Sequence, residues 1–170
     1  MAPREELVRN TAAYHWRTRA DFAPERWILN LGVWWEGELI GCQGFEAADY
    51  LVTRTGETGS WLGRAYQGRG RGTAMRQAIC AFVFDHLEAE EITSGAFLDN
   101  PASLAVSRKV GYRPDGVDRR TRREGELALH QRLALHQRLV LTPEAFVRGE
   151  HPVQVEGAEA FRASIGLGAA

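Results

Sequence analysis

Apolar positions recur along this chain with two different periods, and the changes of period divide it into helical and extended blocks. From Arg4 to Arg19, Val8, Ala12 and Trp16 fall four apart behind the acidic Glu5 and Glu6. That spacing predicts a helix whose early acids suit its dipole. Pro24 closes the block. Ile28 to Trp35 and Leu39 to Glu46 are rich in β-formers and flank Glu36-Gly37, which predicts an antiparallel hairpin. Glu57 to Leu62 predicts a third strand. From Thr73 to Glu90 the period becomes helical, with Met75, Ala78, Ile79, Phe82 and Leu87 on one stripe. Ile92 to Leu98 then reads as a strand, and Ala102 to Val110 as a helix stopped by Gly111. Strand, glycine loop, helix, strand, helix is a βαβα unit whose two strands lie parallel. With the hairpin before it, the chain is expected to be α/β (α+β) around a mixed sheet.

Val117 to Leu141 is again strand-like, with a turn expected at Arg123-Glu124-Gly125-Glu126. The sextet ALHQRL occurs there twice, at 128–133 and 134–139. An even repeat keeps every side chain on its own sheet face. His130 and His136, one in each copy, are expected on the solvent side. Trp27, Trp34, Trp35 and Trp61 fall in predicted strands and are expected in the core. Phe161 to Leu167 predicts a short docked helix. The expected organisation is one domain over 1–142 and a C-terminal tail over 143–170.

Composition narrows the function classes. The 170 residues are 44% hydrophobic with a net charge of −1, so the chain can bury a core but lacks the basic footprint of a general nucleic-acid binder. No apolar run approaches the ~20 residues of a membrane span. Two cysteines, Cys42 and Cys80, have no metal-ligand spacing and point to a reducing, cytoplasmic location. Neither a metal nor a membrane partner is expected.

The sharpest local feature is Gln67-Gly68-Arg69-Gly70-Arg71-Gly72-Thr73, which opens the long helix. A helix N-terminus offers unpaired N–H groups and partial positive charge. Glycines let backbone approach an anion without a Cβ in the way. Arg64, Arg69 and Arg71 add cationic forks, so the loop forms a candidate pyrophosphate cradle. The dinucleotide GxGxxG spacing fails at Thr73, and no lysine completes a P-loop. An ordinary turn before a helix is the plain alternative.

Gly59-Ser60-Trp61-Leu62 before this loop, with Asn100-Pro101-Ala102-Ser103 and Lys109-Val110-Gly111-Tyr112 after it, resembles the GNAT acetyltransferase superfamily, RimJ/RimL branch. The resemblance runs from about Trp27 to Leu141 and covers two motifs in their expected contexts. It implies a GNAT fold with helices on both faces and a parallel strand pair splayed around acetyl-CoA. Residues 1–25 leave no room for the strand and helix with which the family opens. The strand at Trp61, Leu62 and Gly63 would hydrogen-bond the pantetheine. Gln67 to Thr73 would hold the pyrophosphate, Asn100 the pantetheine arm, and Ser103 would protonate the departing thiolate. Asn100 and Pro101 also form a good helix cap by themselves.

Amine acylation needs a neutral amine. A lysine-like amine near pKa 10.4 pays about 4–5 kcal/mol for deprotonation at pH 7. Glu57 is the first candidate base, since period two puts Glu57, Gly59 and Trp61 on one face. A backbone N–H near Leu62 is the candidate oxyanion donor. RimL-like members place a glutamate downstream of the serine where this chain has Arg122; Glu124 and Glu126 lie nearby. Arg119, Arg120, Arg122 and Arg123 read as a solvated hairpin face or as an attractor for an acidic acceptor. The expected activity is transfer of an acetyl group from acetyl-CoA to a primary amine by direct attack, with a non-catalytic acyl-CoA-binding module as the alternative. The acceptor is unspecified and a homodimer is left open.

Overall fold

A computed structural model describes residues 4–120 and 135–168. Helix α1 (Arg4–Ala20) leads into strands β1 (Arg26–Trp35) and β2 (Glu38–Ala48). A single turn, α2 (Tyr50–Thr53), precedes β3 (Thr55–Leu62). A 3₁₀ turn at Arg64–Tyr66 then feeds the long helix α3 (Arg71–Leu87). Strand β4 (Glu91–Phe97), helix α4 (Pro101–Val110), strands β5 (Arg113–Arg119) and β6 (Leu135–Leu141) and helix α5 (Ala158–Ser164) follow.

The strands form one six-stranded sheet in the order β1-β2-β3-β4-β6-β5. β1, β2 and β3 are antiparallel neighbours, and β3 lies parallel to β4. The hairpin turn forms as predicted because Glu36 and Gly37 both take positive φ, at 50° and 82°, the geometry that matches strand twist. The βαβ crossover through α3 makes the β3–β4 pair parallel, as the alternation of periods required.

The two sheet faces are unlike. Trp27, Phe45 and Ala47 join Ile79, Val83 and Leu87 of α3 in a continuous apolar core. Trp27 is 1% exposed, with ring centroids 5.6 Å from Phe45 and 5.4 Å from Tyr50. The other face, carrying Ile28, Asn30, Cys42, Gly44, Glu57 and Trp61, looks toward α1 across an open groove. Helices therefore flank both faces, with α3 and α4 packed together on the core side.

Helix α1 forms as its spacing predicts, with Val8 and Trp16 62% and 70% exposed. Two sequence expectations are corrected. Of the strand tryptophans, Trp27 alone is core; Trp34, Trp35 and Trp61 are exposed on the sheet rim and groove. His136 is buried rather than solvent-facing, with Nδ1 3.2 Å from Asp118 Oδ1 and its ring edge-on to Phe97. The turn at Arg123–Glu126, Arg122 and the first ALHQRL copy with His130 lie outside the described residues.

The C-terminal segment docks on the same core. Phe146, Ile165 and Leu167 are buried in it. Arg162 is the anchor: it donates to Gly168 O at 2.8 Å, to His86 O, and to Glu88 Oε1 at 2.8 Å. Arg148 makes a bidentate pair with Asp85 at 2.7 and 2.6 Å. These hydrogen bonds hold the Glu88 and Asp85 carboxyls below their ordinary values. A depressed carboxylate pKa stabilises the fold fully above its unfolded value, near 4.5 for Glu88, and loses that contribution as pH falls through the folded value. The melting temperature is expected to fall on acidification below about pH 4.5, with a shallower fall in Glu88→Gln, measured by calorimetry across pH.

Candidate active site

The parallel β3–β4 ladder is short. Its register runs from Thr55 opposite Glu91 to Thr58 opposite Ser94 and stops. Beyond it, β3 continues to Leu62 paired with β2, while β4 continues to Phe97 paired with β6. The two strands thus fork. In the β2–β3 register, Gly63 N–H donates to Ile40 O, so the antiparallel alternation turns the backbone groups of Ser60 and Leu62 toward the fork. Leu62 O is taken by Gln67 Nε2 at 2.8 Å. Ser60 N–H and C=O and Leu62 N–H face the gap with no strand opposite them among the described residues, whereas Trp61 and Gly63, expected to bond the pantetheine, turn their backbone groups toward β2 instead.

The glycine loop stands at the mouth of this fork. Gly68 and Gly70 have φ of 74° and 79°, and a Cβ at either would project into open space. Gly70 is the N-cap of α3 and no side chain caps the helix there. Thr73 and Ala74 N–H both donate to Gly70 O. That leaves Arg71 and Gly72 as first-turn N–H groups without a partner among the described residues, beside an open concave backbone. The residues therefore fit a pyrophosphate, which needs donors and free volume together.

The cations divide. Arg64 and Arg69 are exposed at the loop. Arg71 folds back: its guanidinium carbon lies 4.4 Å from the Trp35 ring centroid and 5.7 Å from that of Tyr66. Tyr66 in turn donates its hydroxyl to Glu38 Oε2. Arg71 thus braces the loop against the β1–β2 hairpin end.

Asn100 caps α4 as its sequence context allowed, with Oδ1 accepting from Ser103 N–H at 3.2 Å and Pro101 in the first turn. Ser103 is half-buried in that turn, one loop beyond the end of β4. On the far side of β3 lies the groove under α1, a cavity of about 560 Å³. Glu57, Gly59 and Trp61 line it together, as period two required, with Tyr14 and His15 of α1 opposite. Glu57 stands across from Glu46 in the β2–β3 register. Glu46 pairs with Arg26 at 3.2 Å, whereas Glu57 has no polar partner among the described residues. Of two facing carboxylates, one is engaged by an arginine and the other is open to the groove.

The GNAT acetyltransferase domain profile matches residues 2–113, about two thirds of the chain. The chain belongs to the GNAT acetyltransferase family. Bacillus subtilis (strain 168) YdaF, named as a ribosomal N-acetyltransferase, is 28% identical over 91 residues, which are 54% of this chain and 49% of YdaF. The chain thus matches about half the length of that curated relative. Among solved GNAT structures, Mycobacterium smegmatis RimJ in complex with CoA-disulfide has a TM-score of 0.64 at 23% identity, over 81% of this chain and 63% of RimJ. The microcin C7 self-immunity acetyltransferase MccE, in complex with acetyl-CoA and AMP, has a TM-score of 0.64 at 17% identity, over 79% and 71% of the two chains. These structures share the fold, and YdaF carries the resemblance to the RimJ/RimL branch in sequence.

One set of site residues had no signal in the sequence patterns. Arg76 of α3 reaches the fork from the core side and contacts Thr58, Ser60 and Ser94. Tyr112 stands behind Thr58, its hydroxyl 2.9 Å from Thr58 Oγ1 and 3.5 Å from Cys80 Sγ. Burial pushes the Cys80 thiol up to about 11 and raises the Tyr112 phenol further, so both stay protonated at neutral pH.

The cap makes a separable prediction. Asn100→Ala should cost about 1 kcal/mol in urea unfolding, and Asn100→Asp much less, because the aspartate can still accept the Ser103 N–H.

Proposed function

We propose that this GNAT protein transfers an acetyl group from acetyl-CoA to a primary amine by direct attack in a ternary complex. The single observation that carries the reading is the fork: β3 and β4 part after Thr58 and Ser94, opening onto an uncapped helix start with two left-handed glycines. In this reading the pantetheine lies in the fork against Ser60 and Leu62 backbone, and Gly68 to Thr73 hold the pyrophosphate, with Arg64 and Arg69 close by. Asn100 combines its capping role with a contact to the pantetheine arm. The CoA-bound RimJ and acetyl-CoA-bound MccE structures support the same ligand class for this fold.

The groove under α1 receives the acceptor. Glu57 takes the amine proton, directly or through a water, which removes the largest part of the barrier at neutral pH. The neutral amine attacks the thioester carbonyl. When the tetrahedral intermediate collapses, the nitrogen sheds its extra proton to solvent, the carbon–sulfur bond breaks, and Ser103, reprotonated from solvent, gives a proton to the departing CoA thiolate. Neither Cys42 nor Cys80 serves as a nucleophile: burial raises both thiols, and Cys80 is closed behind Tyr112. The catalytic unit is residues 1–142, and residues 143–170 complete the core behind α3. A cytoplasmic setting, where acetyl-CoA is made and thiols stay reduced, fits both free cysteines.

Two measurements test this reading. In calorimetric titration with CoA, Gly70→Glu should abolish binding, because a carboxylate enters the space meant for a diphosphate; unchanged affinity would sink the loop assignment. In a thiol-release assay with acetyl-CoA and a panel of amines, Glu57→Gln and Ser103→Ala should each lower turnover about a hundredfold with CoA affinity retained. Saturable CoA binding without transfer to any amine would instead make the protein a binding module.

A further inference from the structure

Arg76 is 5% exposed, yet no carboxylate pairs with it among the described residues. Its Nη1 donates to Thr58 Oγ1 at 3.1 Å and to Ser94 Oγ at 2.9 Å, and its Nη2 donates to Ser60 Oγ at 2.9 Å. Its Nε is buried without a partner. A buried cation held by three neutral hydroxyls is an expensive arrangement. It persists here where β3 and β4 part.

The three hydroxyls are not equivalent. Thr58 and Ser94 are buried on the last rung of the parallel ladder, and each has a further partner: Ser94 donates to Thr58 O at 3.1 Å, and Thr58 meets Thr93 O and Tyr112. Ser60 lies beyond that rung, two residues along β3. It is exposed and lines the groove of Glu57 and Trp61, but period two turns its side chain to the Arg76 face, where its own O–H has no acceptor among the described residues. A hydroxyl that accepts from a guanidinium is polarised toward donating its own proton onward. The positive charge behind it stays whole, since Tyr112 and Cys80 remain neutral.

We propose that Ser60 donates a hydrogen bond to the carbonyl oxygen of the bound acyl thioester, and that Arg76 is the positioning residue that fixes and polarises this hydroxyl. The proposal rests on the acyl-CoA reading above. As the amine nitrogen bonds to the carbonyl carbon, the carbonyl π pair moves onto the oxygen, and the Ser60 hydrogen bond strengthens without transferring its proton. Collapse returns that pair to the carbonyl, breaks the carbon–sulfur bond and releases the thiolate. Ser60 joins the Leu62 N–H as a donor placed where negative charge develops.

The test uses the whole chain and needs no acceptor. Three probes are titrated calorimetrically: CoA, acetonyldethia-CoA, in which a methylene replaces the sulfur so that a stable ketone stands where the thioester carbonyl would, and ethyl-CoA, which lacks it. The wild type should bind the ketone roughly three- to tenfold tighter than the thioether, the range of one net hydrogen bond. Ser60→Ala should erase that preference while leaving CoA affinity unchanged, and Ser60→Thr should restore it. Arg76→Lys should weaken the preference in folded protein; where it fails to fold, the Ser60 pair decides. Equal binding of ketone and thioether by the wild type, a preference that survives Ser60→Ala, or equal loss in Ser60→Thr would overturn the proposal while leaving the acyl-CoA reading intact. Failure of the wild type to bind any of the three probes would overturn both.

Discussion

A guanidinium buried between two strands governs this molecule. Parallel strands gain a hydrogen bond at every rung, so β3 and β4 have no intrinsic reason to separate after four rungs. Arg76 gives them one. Its two terminal nitrogens take the hydroxyls of Thr58 and Ser60 on one strand and Ser94 on the other. Removing a cation from water costs several kcal/mol, and hydrogen bonds to a charged group return about 1.5–3 kcal/mol each. Three such bonds roughly offset the cost, so hydroxyls of both strands hold the cation where the parallel ladder stops.

Helix α3 ties this constraint to the ligand. Its first turn presents uncapped N–H groups, and Arg76 lies little more than a turn further in. Both features ride on one rigid element, packed on the core through Ile79, Val83 and Leu87. The distance from anion cradle to fork is therefore fixed by helix geometry rather than by loop conformation. Arg71 completes the bracing from the other side by stacking on Trp35 and Tyr66. The loop proposed to hold the pyrophosphate is thus pinned to α3 behind it and to the β1–β2 hairpin beside it.

What the sequence disclosed follows from which signals are local. Hairpin, crossover, glycine loop and the Asn100 cap each rest on contiguous residues, and each stands where its pattern placed it. The groove face also followed, because Glu57, Gly59 and Trp61 obey a period of two in any register. Arg76 stayed hidden because a helical stripe is counted in apolar residues, and its hydroxyl partners are scattered over two strands. The exposed Trp34, Trp35 and Trp61 misled for a related reason. Aromatic residues in strands are normally core, whereas here Trp35 backs an arginine and Trp61 lines the groove. His136 looked like a surface residue until β5 brought Asp118 beside it, a contact that register alone decides.

The groove carries its own tension. Glu46 and Glu57 stand directly opposite each other, and like charges on a cross-strand pair oppose folding. Arg26 engages one of them from the far strand, and that leaves Glu57 at the open groove without a polar partner among the described residues. A second arginine placed to engage Glu57 would quiet the repulsion, but it would also lower the carboxylate's basicity and occupy the groove. In the proposed reaction an arriving cationic amine would engage Glu57 only transiently, because it loses its charge when it gives up the proton. The sheet itself keeps Glu57 and Arg76 apart, the carboxylate on one face and the buried cation on the other, and in the proposed reaction Ser60 and Leu62 of the same strand would meet the thioester between them.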